Sequence, residues 1–348
     1  MKIIPIRRGV CLSLLLVFLL CGCTSDDNQE VYPFIHSGMT EGTTFHIKVS
    51  KLPDSFNQIQ LKKDIDNVLF QVDHEMSTYI KDSELSLINQ SAKTDWIAIS
   101  EGLYSVIKEA EKTSKLSGGA FDVTVGPLVN LWGFGPEPVK SAAPTDQQIQ
   151  ERMQKVGYQN ISIKEQPYSI KKLIPDLYID LSAIAKGYTV DQVGILLEKN
   201  GLQDYMVEIG GEVRVKGKNI KLEPWRIAVE KPTANERSIE KIILLSDIAM
   251  ATSGDYRNFF EVDGVRFSHT INPKTGRPIT HKLASVSVLS DTTMKADAMA
   301  TALNVLGPEL GFELAEKNKL AAFFIIKTDS GFQEKTTSAF AELTNSTR

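Results

Sequence analysis

The spacing of apolar residues changes along this chain, and that change restricts its fold more than any other feature. In 58-QIQLKKDIDNVLFQVDHEMS-77, Leu61, Ile65, Leu69 and Val72 recur at helical steps along one face. The stretch 101-EGLYSVIKEAEKTSKLSG-118 repeats that pattern and stops at a glycine, a common helix terminator. An early segment, 43-TTFHIKVS-50, alternates like a strand. Later runs are short and rich in strand-forming residues: 177-LYIDLS-182, 205-YMVEI-209, 225-WRIAVE-230, 240-EKIILLS-246, 284-ASVSVLS-290 and 320-LAAFFII-326. Helices are predicted from about Lys186 to Lys199, at 294–306 and at 308–317. The Pro- and Gly-rich 133-GFGPEPVKSAAPTD-146 reads as an irregular surface insertion, followed by a helix to about residue 156. Strands gathered late, with helices interleaved irregularly, predict an α+β (mixed α/β) fold rather than a regular βαβ succession. No linker divides residues 32–340, so they are expected to form one unit with a strand-rich C-terminal half.

The chain has 348 residues, of which 42% are hydrophobic, enough for a large core without disulfides. The formal net charge of −4, with no Lys/Arg-rich tail, argues against nucleic acid as a partner. All three cysteines, Cys11, Cys21 and Cys23, lie in the N-terminal segment. There Lys2, Arg7 and Arg8 precede the apolar 10-VCLSLLLVFLL-20, which is too short to cross a bilayer comfortably. The run ends in 20-LCGC-23, which resembles a bacterial lipobox. Residues 1–22 are therefore expected to be a lipoprotein signal peptide, Cys23 the lipidated residue and 23–31 a polar tether. That places the protein on the extracytoplasmic side of a bacterial membrane, held by lipid.

Five polar clusters stand out. In 117-SGGAFDVTVGPLVNLWGFG-135, paired glycines precede an aromatic and an aspartate, suiting either a ligand loop or a helix end followed by a tight turn. In 180-DLSAIAKGYTVD-191, a strand end leads into a helix opened by Lys186 and Gly187. Free amides at that start plus a lysine make an anion site, although Asp180 or Ser182 as a helix cap explains part of the pattern. In 207-VEIGGEVRVKG-217 a Gly-Gly turn joins two strands, with Glu208 and Glu212 beside it. In 266-RFSHTINPKTGRPI-279, His269 precedes a turn at 272–276; a histidine there suits a general base. Finally, 294-MKADAMATALNVLG-307 carries a polar stripe of Asp297, Thr301 and Asn304. Such a stripe usually faces water. Yet the alternating alanines keep the helix thin, and a carboxylate with a hydroxyl suits Mg²⁺.

Taken in order, these motifs resemble the ApbE family of flavin transferases. The carrying segments are 42-GTTF-45, 76-MSTY-79 with 82-DSELSLIN-89, 119-GAFDVTVGPLVNLWGF-134, 180-DLSAIAKGYTVD-191, 210-GGE-212, 269-HTINPKTGRPI-279 and 297-DAMATAL-303. The resemblance implies an enzyme that takes FAD as substrate with Mg²⁺, transfers FMN to a Thr or Ser hydroxyl of a target flavoprotein, and releases AMP. It also implies an acceptor that is a subunit of a membrane redox complex. By the same resemblance, Tyr79, Ala120, Phe121 and Asp122 contact the flavin nucleotide, and Ser182, Lys186 and Tyr188 surround the FAD. His269 and Thr270 lie near the reacting phosphate, with His269 as the base. Asp297, Thr301 and the main-chain carbonyl of Ala185 bind Mg²⁺. Where the family often has Met before the first Gly-Thr, this chain has Glu41. Two alternatives stand beside transfer, namely a Mg²⁺-dependent FAD pyrophosphatase giving FMN and AMP, and a flavin-binding lipoprotein without chemistry. A tyrosine at position 79 goes with transfer in the family.

Overall fold

Alternation in the second half of the chain builds the frame of the molecule. The computed structural model describes residues 32–136, 143–232, 239–254, 259–262 and 265–346. The signal, Cys23 and the whole of the tether lie outside the described residues, as does part of the insertion at 133–146. Eight strands form one sheet: β1 (Phe34–Thr40), β2 (Thr43–Val49), β3 (Tyr205–Ile209), β4 (Glu212–Lys216), β5 (Ile248–Gly254), β6 (Leu283–Ser290), β7 (Ala321–Thr328) and β8 (Gly331–Thr336). Their order across the sheet is their order along the chain, and every neighbouring pair is antiparallel.

Both faces of the sheet are covered. Helices α1 (Gln58–Met76), α2 (Glu84–Gln90), α3 (Glu101–Leu116), α4 (Gly126–Leu131), α5 (Asp146–Met153), α6 (Ala185–Lys199), α7 (Thr293–Lys317) and α8 (Ser338–Ser346) complete the described helices. On one face α3 and α7 pack on β5 to β7, while α1 and α6 pack on β1 to β3. On the other, α8 and the antiparallel pair Trp225–Glu230 with Ile239–Leu245 bury Phe323, Ile325 and Met250. Period two is visible in β7: Phe323 and Ile325 join the cluster containing Trp225, and Ala322 and Phe324 join the one containing Leu303. A strand buried on both faces reads as an unbroken apolar run, and 320-LAAFFII-326 is one.

The mixed α+β architecture agrees with the sequence reading, and α6 begins within a residue of its expected start. Gly307 breaks α7 with non-helical angles (φ 81°, ψ −175°) ahead of Pro308, which matches the expected pair of helices. The segment 177–182 is different: it is not a strand. Leu177, Ile179 and Leu181 are buried, so the alternation is real. Its main-chain partners, however, are not a neighbouring strand. The Asn89 side-chain amide bonds both the carbonyl and the N–H of Ile179, and the Asp180 N–H reaches the Val123 carbonyl. Nearby, the fully buried Lys172 donates to the carbonyls of Ile88, Ser91 and Leu177, closing the C-terminal end of α2. Burial lowers its pKa below the usual lysine value.

Candidate active site

A cavity of about 1640 Å³ lies where α6, α7 and the loops after α1 and α3 meet β2 to β5. Tyr79, Ala120, Phe121, Asp122, Ser182, Ala185, Lys186, His269, Thr270, Asp297 and Thr301 all line it. Tyr188 does not line it. That ring sits toward α1 and α3, beside Gly102, and burial together with the Glu75, Glu101 and Asp191 carboxylates pushes its pKa up to about 12.

The centre of the site is the junction of α6 with α7. Close approach is possible because residue 187 is glycine; a Cβ there would come within 2.5 Å of the Thr293 carbonyl oxygen and 2.7 Å of Met294 Cα. The free amides expected at the start of α6 do find an anion, and it is one of the protein's own. The Gly187 N–H donates to Asp297 Oδ2 at 3.1 Å. No side chain caps α6; its N-cap is Ile184, while Asp180 Oδ1 instead accepts the Ser182 N–H in a local turn. Asp191, one turn further along α6, fastens the two helices. Its Oδ1 accepts the Thr293 N–H and an Arg214 N–H, and its Oδ2 accepts the Met294 N–H, each at 2.9 Å.

Lys186 is the positive centre. Its Nζ lies 3.6 Å from Glu212 Oε1 and 3.9 Å from Asp297 Oδ2 and donates to the Ser182 carbonyl. Burial opposes its charge, but Asp297, Glu212 and Glu41 outweigh that and hold its pKa above the ordinary lysine value. Burial raises the carboxyl pKa of Asp297 and of Glu41, and pushes Glu212 up to about 8, each against the pull of Lys186.

Other predicted residues hold the walls. Both Asp122 oxygens are engaged, Oδ1 by the Thr124 N–H and hydroxyl and Oδ2 by the Tyr158 N–H, so this carboxylate shapes the loop. Tyr79 is 67% exposed, an aromatic ring at the cavity with room for a flat partner. His269 meets Phe134 edge-on at 6.3 Å. The turn beyond it is fixed by the Trp132 Nε1–H bond to the Gly276 carbonyl. Asn304 is not on a solvated stripe: it is fully buried, and its Nδ2 donates to Ser253 Oγ and Thr270 Oγ1. Glu41, Thr189, Asp191 and Glu212 were not expected as site residues, since their partners are distant in sequence. The only signals were the odd acidic residue at position 41 and the glutamate after Gly210–Gly211.

The residues present suit a hard divalent cation. Asp297 is 5% exposed, and its hydrogen bonds among the described residues use Oδ2, leaving Oδ1 over. Among the described residues, Glu212 Oε2 is buried with no hydrogen bond. Thr301 adds a hydroxyl one turn along α7, and Ala185 a carbonyl, so the donors are hard oxygens throughout.

Small-ligand sites usually enclose about 300–1,000 Å³. This one is larger and sets a lysine among carboxylates, so the α+β fold holds a charged site with room for a ligand above the usual size. Residues 41–324 match the model of the ApbE family, and the chain belongs to that family. A Haemophilus influenzae FAD:protein FMN transferase is 50% identical over 315 residues, covering 88% of this chain and 90% of its own length. One from Vibrio cholerae is 47% identical over 334 residues, covering 96% and 98%. Among solved structures, the flavin transferase ApbE from Vibrio cholerae is similar with a TM-score of 0.83 at 47% identity, over 89% of this chain and 98% of that one. The apo Pseudomonas stutzeri flavinyl transferase ApbE has a TM-score of 0.82 at 38% identity, over 89% and 96%.

Proposed function

We propose that this enzyme transfers FMN from FAD to a hydroxyl of an acceptor protein and releases AMP, with Mg²⁺ held by Asp297, Thr301 and the Ala185 carbonyl. The observation that carries the reading is that Asp297, Thr301, Ala185, Lys186, His269 and Thr270 all line one large cavity, with Lys186 3.9 Å from Asp297. When bound, Mg²⁺ would withdraw charge from the pyrophosphate and orient it. Lys186 keeps the site from becoming a purely negative well that would repel that pyrophosphate. His269 takes the proton from the attacking hydroxyl, a group too weakly nucleophilic to react unaided. Tyr79 offers its face to the isoalloxazine ring, and the Phe121 segment closes the same wall. Cys23 as a lipid anchor would hold the enzyme on the extracytoplasmic face of a bacterial membrane, close to acceptor subunits of membrane redox complexes. The supporting feature is the Leu-Cys-Gly-Cys ending of the apolar run.

The protein is incubated with FAD, Mg²⁺ and a protein bearing a Ser/Thr-Gly-Ala-Ser/Thr segment, then separated under denaturing conditions. A fluorescent acceptor band with release of AMP is expected. AMP without a labelled band would make it a pyrophosphatase, and neither product would leave a flavin-binding protein. Asp297→Ala is expected to abolish the Mg²⁺-dependent turnover; retained turnover would move the cation elsewhere.

A further inference from the structure

The Thr189 hydroxyl stands between two acceptors. Its Oγ1 lies 2.5 Å from Glu41 Oε1 and 2.9 Å from the Ala185 carbonyl oxygen. A hydroxyl has one proton to donate, so it serves one of them at a time. A carbonyl oxygen has two lone pairs, and Ala185 opens α6, whose i→i+4 ladder claims one. The second is therefore the contested position: it accepts the Thr189 proton or it faces the cavity. The distances indicate the direction, since about 2.5–2.7 Å is the range of a hydroxyl donating to a carboxylate. The Ala185 separation is longer than usual for O–H···O. Thr189 is fully buried, so no water competes for its proton. Glu41 reaches it from the two-residue turn between β1 and β2, where Glu41 and Gly42 both have left-handed backbone angles (φ 49° and 73°).

We infer that Glu41 is a positioning residue for the cation seat: it draws the Thr189 proton to itself and thereby leaves the Ala185 carbonyl free to ligate a divalent cation. The inference rests on Ala185 being a ligand. Glu41 need not touch the cation or the nucleotide; it acts through Thr189. A residue without an acceptor at position 41 returns the hydroxyl to the carbonyl and puts a proton where the cation binds.

The test is calorimetric titration of the full-length protein with Mg²⁺ alone, with far-ultraviolet circular dichroism as the check on folding. Glu41→Leu, which leaves no acceptor, is expected to weaken Mg²⁺ binding roughly 3- to 10-fold, the worth of one competing hydrogen bond. Thr189→Val, which removes the competing hydroxyl at nearly constant volume, is expected to bind as the unsubstituted protein does. The decisive result is the double variant: Glu41→Leu with Thr189→Val should return to within about twofold of the unsubstituted protein, since no hydroxyl remains to be diverted. A double variant as weak as Glu41→Leu alone means that Glu41 acts by its charge, and the inference fails. It fails equally if Glu41→Leu binds normally or if Thr189→Val itself weakens binding. Asp297→Ala separates the two levels: undiminished Mg²⁺ binding in that variant would remove the cation seat itself, whatever Glu41 does.

Discussion

Gly187 occupies a position where two opposing effects of similar size meet. Replacing a helical glycine by alanine ordinarily stabilises by about 1 kcal/mol. Here the added methyl would press on main-chain atoms of Thr293 and Met294, which cannot swing aside as a side chain could. Overpacking of that kind costs about 1–3 kcal/mol. The propensity gain is also small so close to the start of α6, so Gly187→Ala is expected to lower stability by about 1–2 kcal/mol in urea unfolding. Unchanged or raised stability would show that the two helices can separate freely. The side chains around Gly187 differ in how readable they were. Lys186, Asp297 and Thr301 stood out because each sits at a helical position where its chemistry is conspicuous within a few residues. Asp191 did not, because what it serves lies 102 positions away, and Glu41 showed only as a departure from the family pattern, its partner lying 148 positions away.

Helix α7 shows the same division. Its first three amides are all satisfied from outside the helical ladder: Thr293 and Met294 by Asp191, and Lys295 by the Thr292 hydroxyl. One carboxylate therefore caps α7, anchors Arg214 of β4 and fixes the distance from Ala185 to Asp297. Asp191→Asn puts an NH₂ group among donors and removes the charge that favours a helix start. It is expected to cost about 2–3 kcal/mol, the scale of losing charged hydrogen bonds at a buried site, and to broaden the thermal transition without changing the cavity-lining residues. Calorimetry of unfolding checks it; a loss below about 0.5 kcal/mol would mean that Thr292 suffices as a cap. The period of α7 was legible in the sequence, but the surroundings of its polar stripe were not. Periodicity tells which residues share a face, not whether that face meets water, a cavity or a second polar side chain, and Asn304 turned out to meet the last. Strand β5, Ile248–Gly254, escaped notice for a related reason. Its residues are small and covered on both faces, so neither alternation nor a bulky apolar run marks it.

In the molecule as a whole, the sheet joins local hairpins, β1 with β2 and β3 with β4, through a distant pairing of β2 with β3, whose nearest partners Val49 and Tyr205 are 156 positions apart, and the site likewise depends on distant segments. The hairpin β1–β2 closes over a two-residue turn. Gly187 meets Asp297 only when a loop of 110 residues has closed. The logarithmic part of that closure is about 4 kcal/mol, and nothing local to either helix offsets it. In refolding monitored by pulsed hydrogen exchange, the β2 amides that bond β1 should be protected before that of Gly187; simultaneous protection would show that the helix junction nucleates the fold. Synthesis imposes the same sequence in time. A ribosome that has completed residues 32–290 has made most of the cavity wall, including Tyr79, Lys186 and His269, but not Asp297 or Thr301. An incomplete chain can therefore carry most of the pocket wall before Asp297 and Thr301, the residues proposed to hold the cation, have been made.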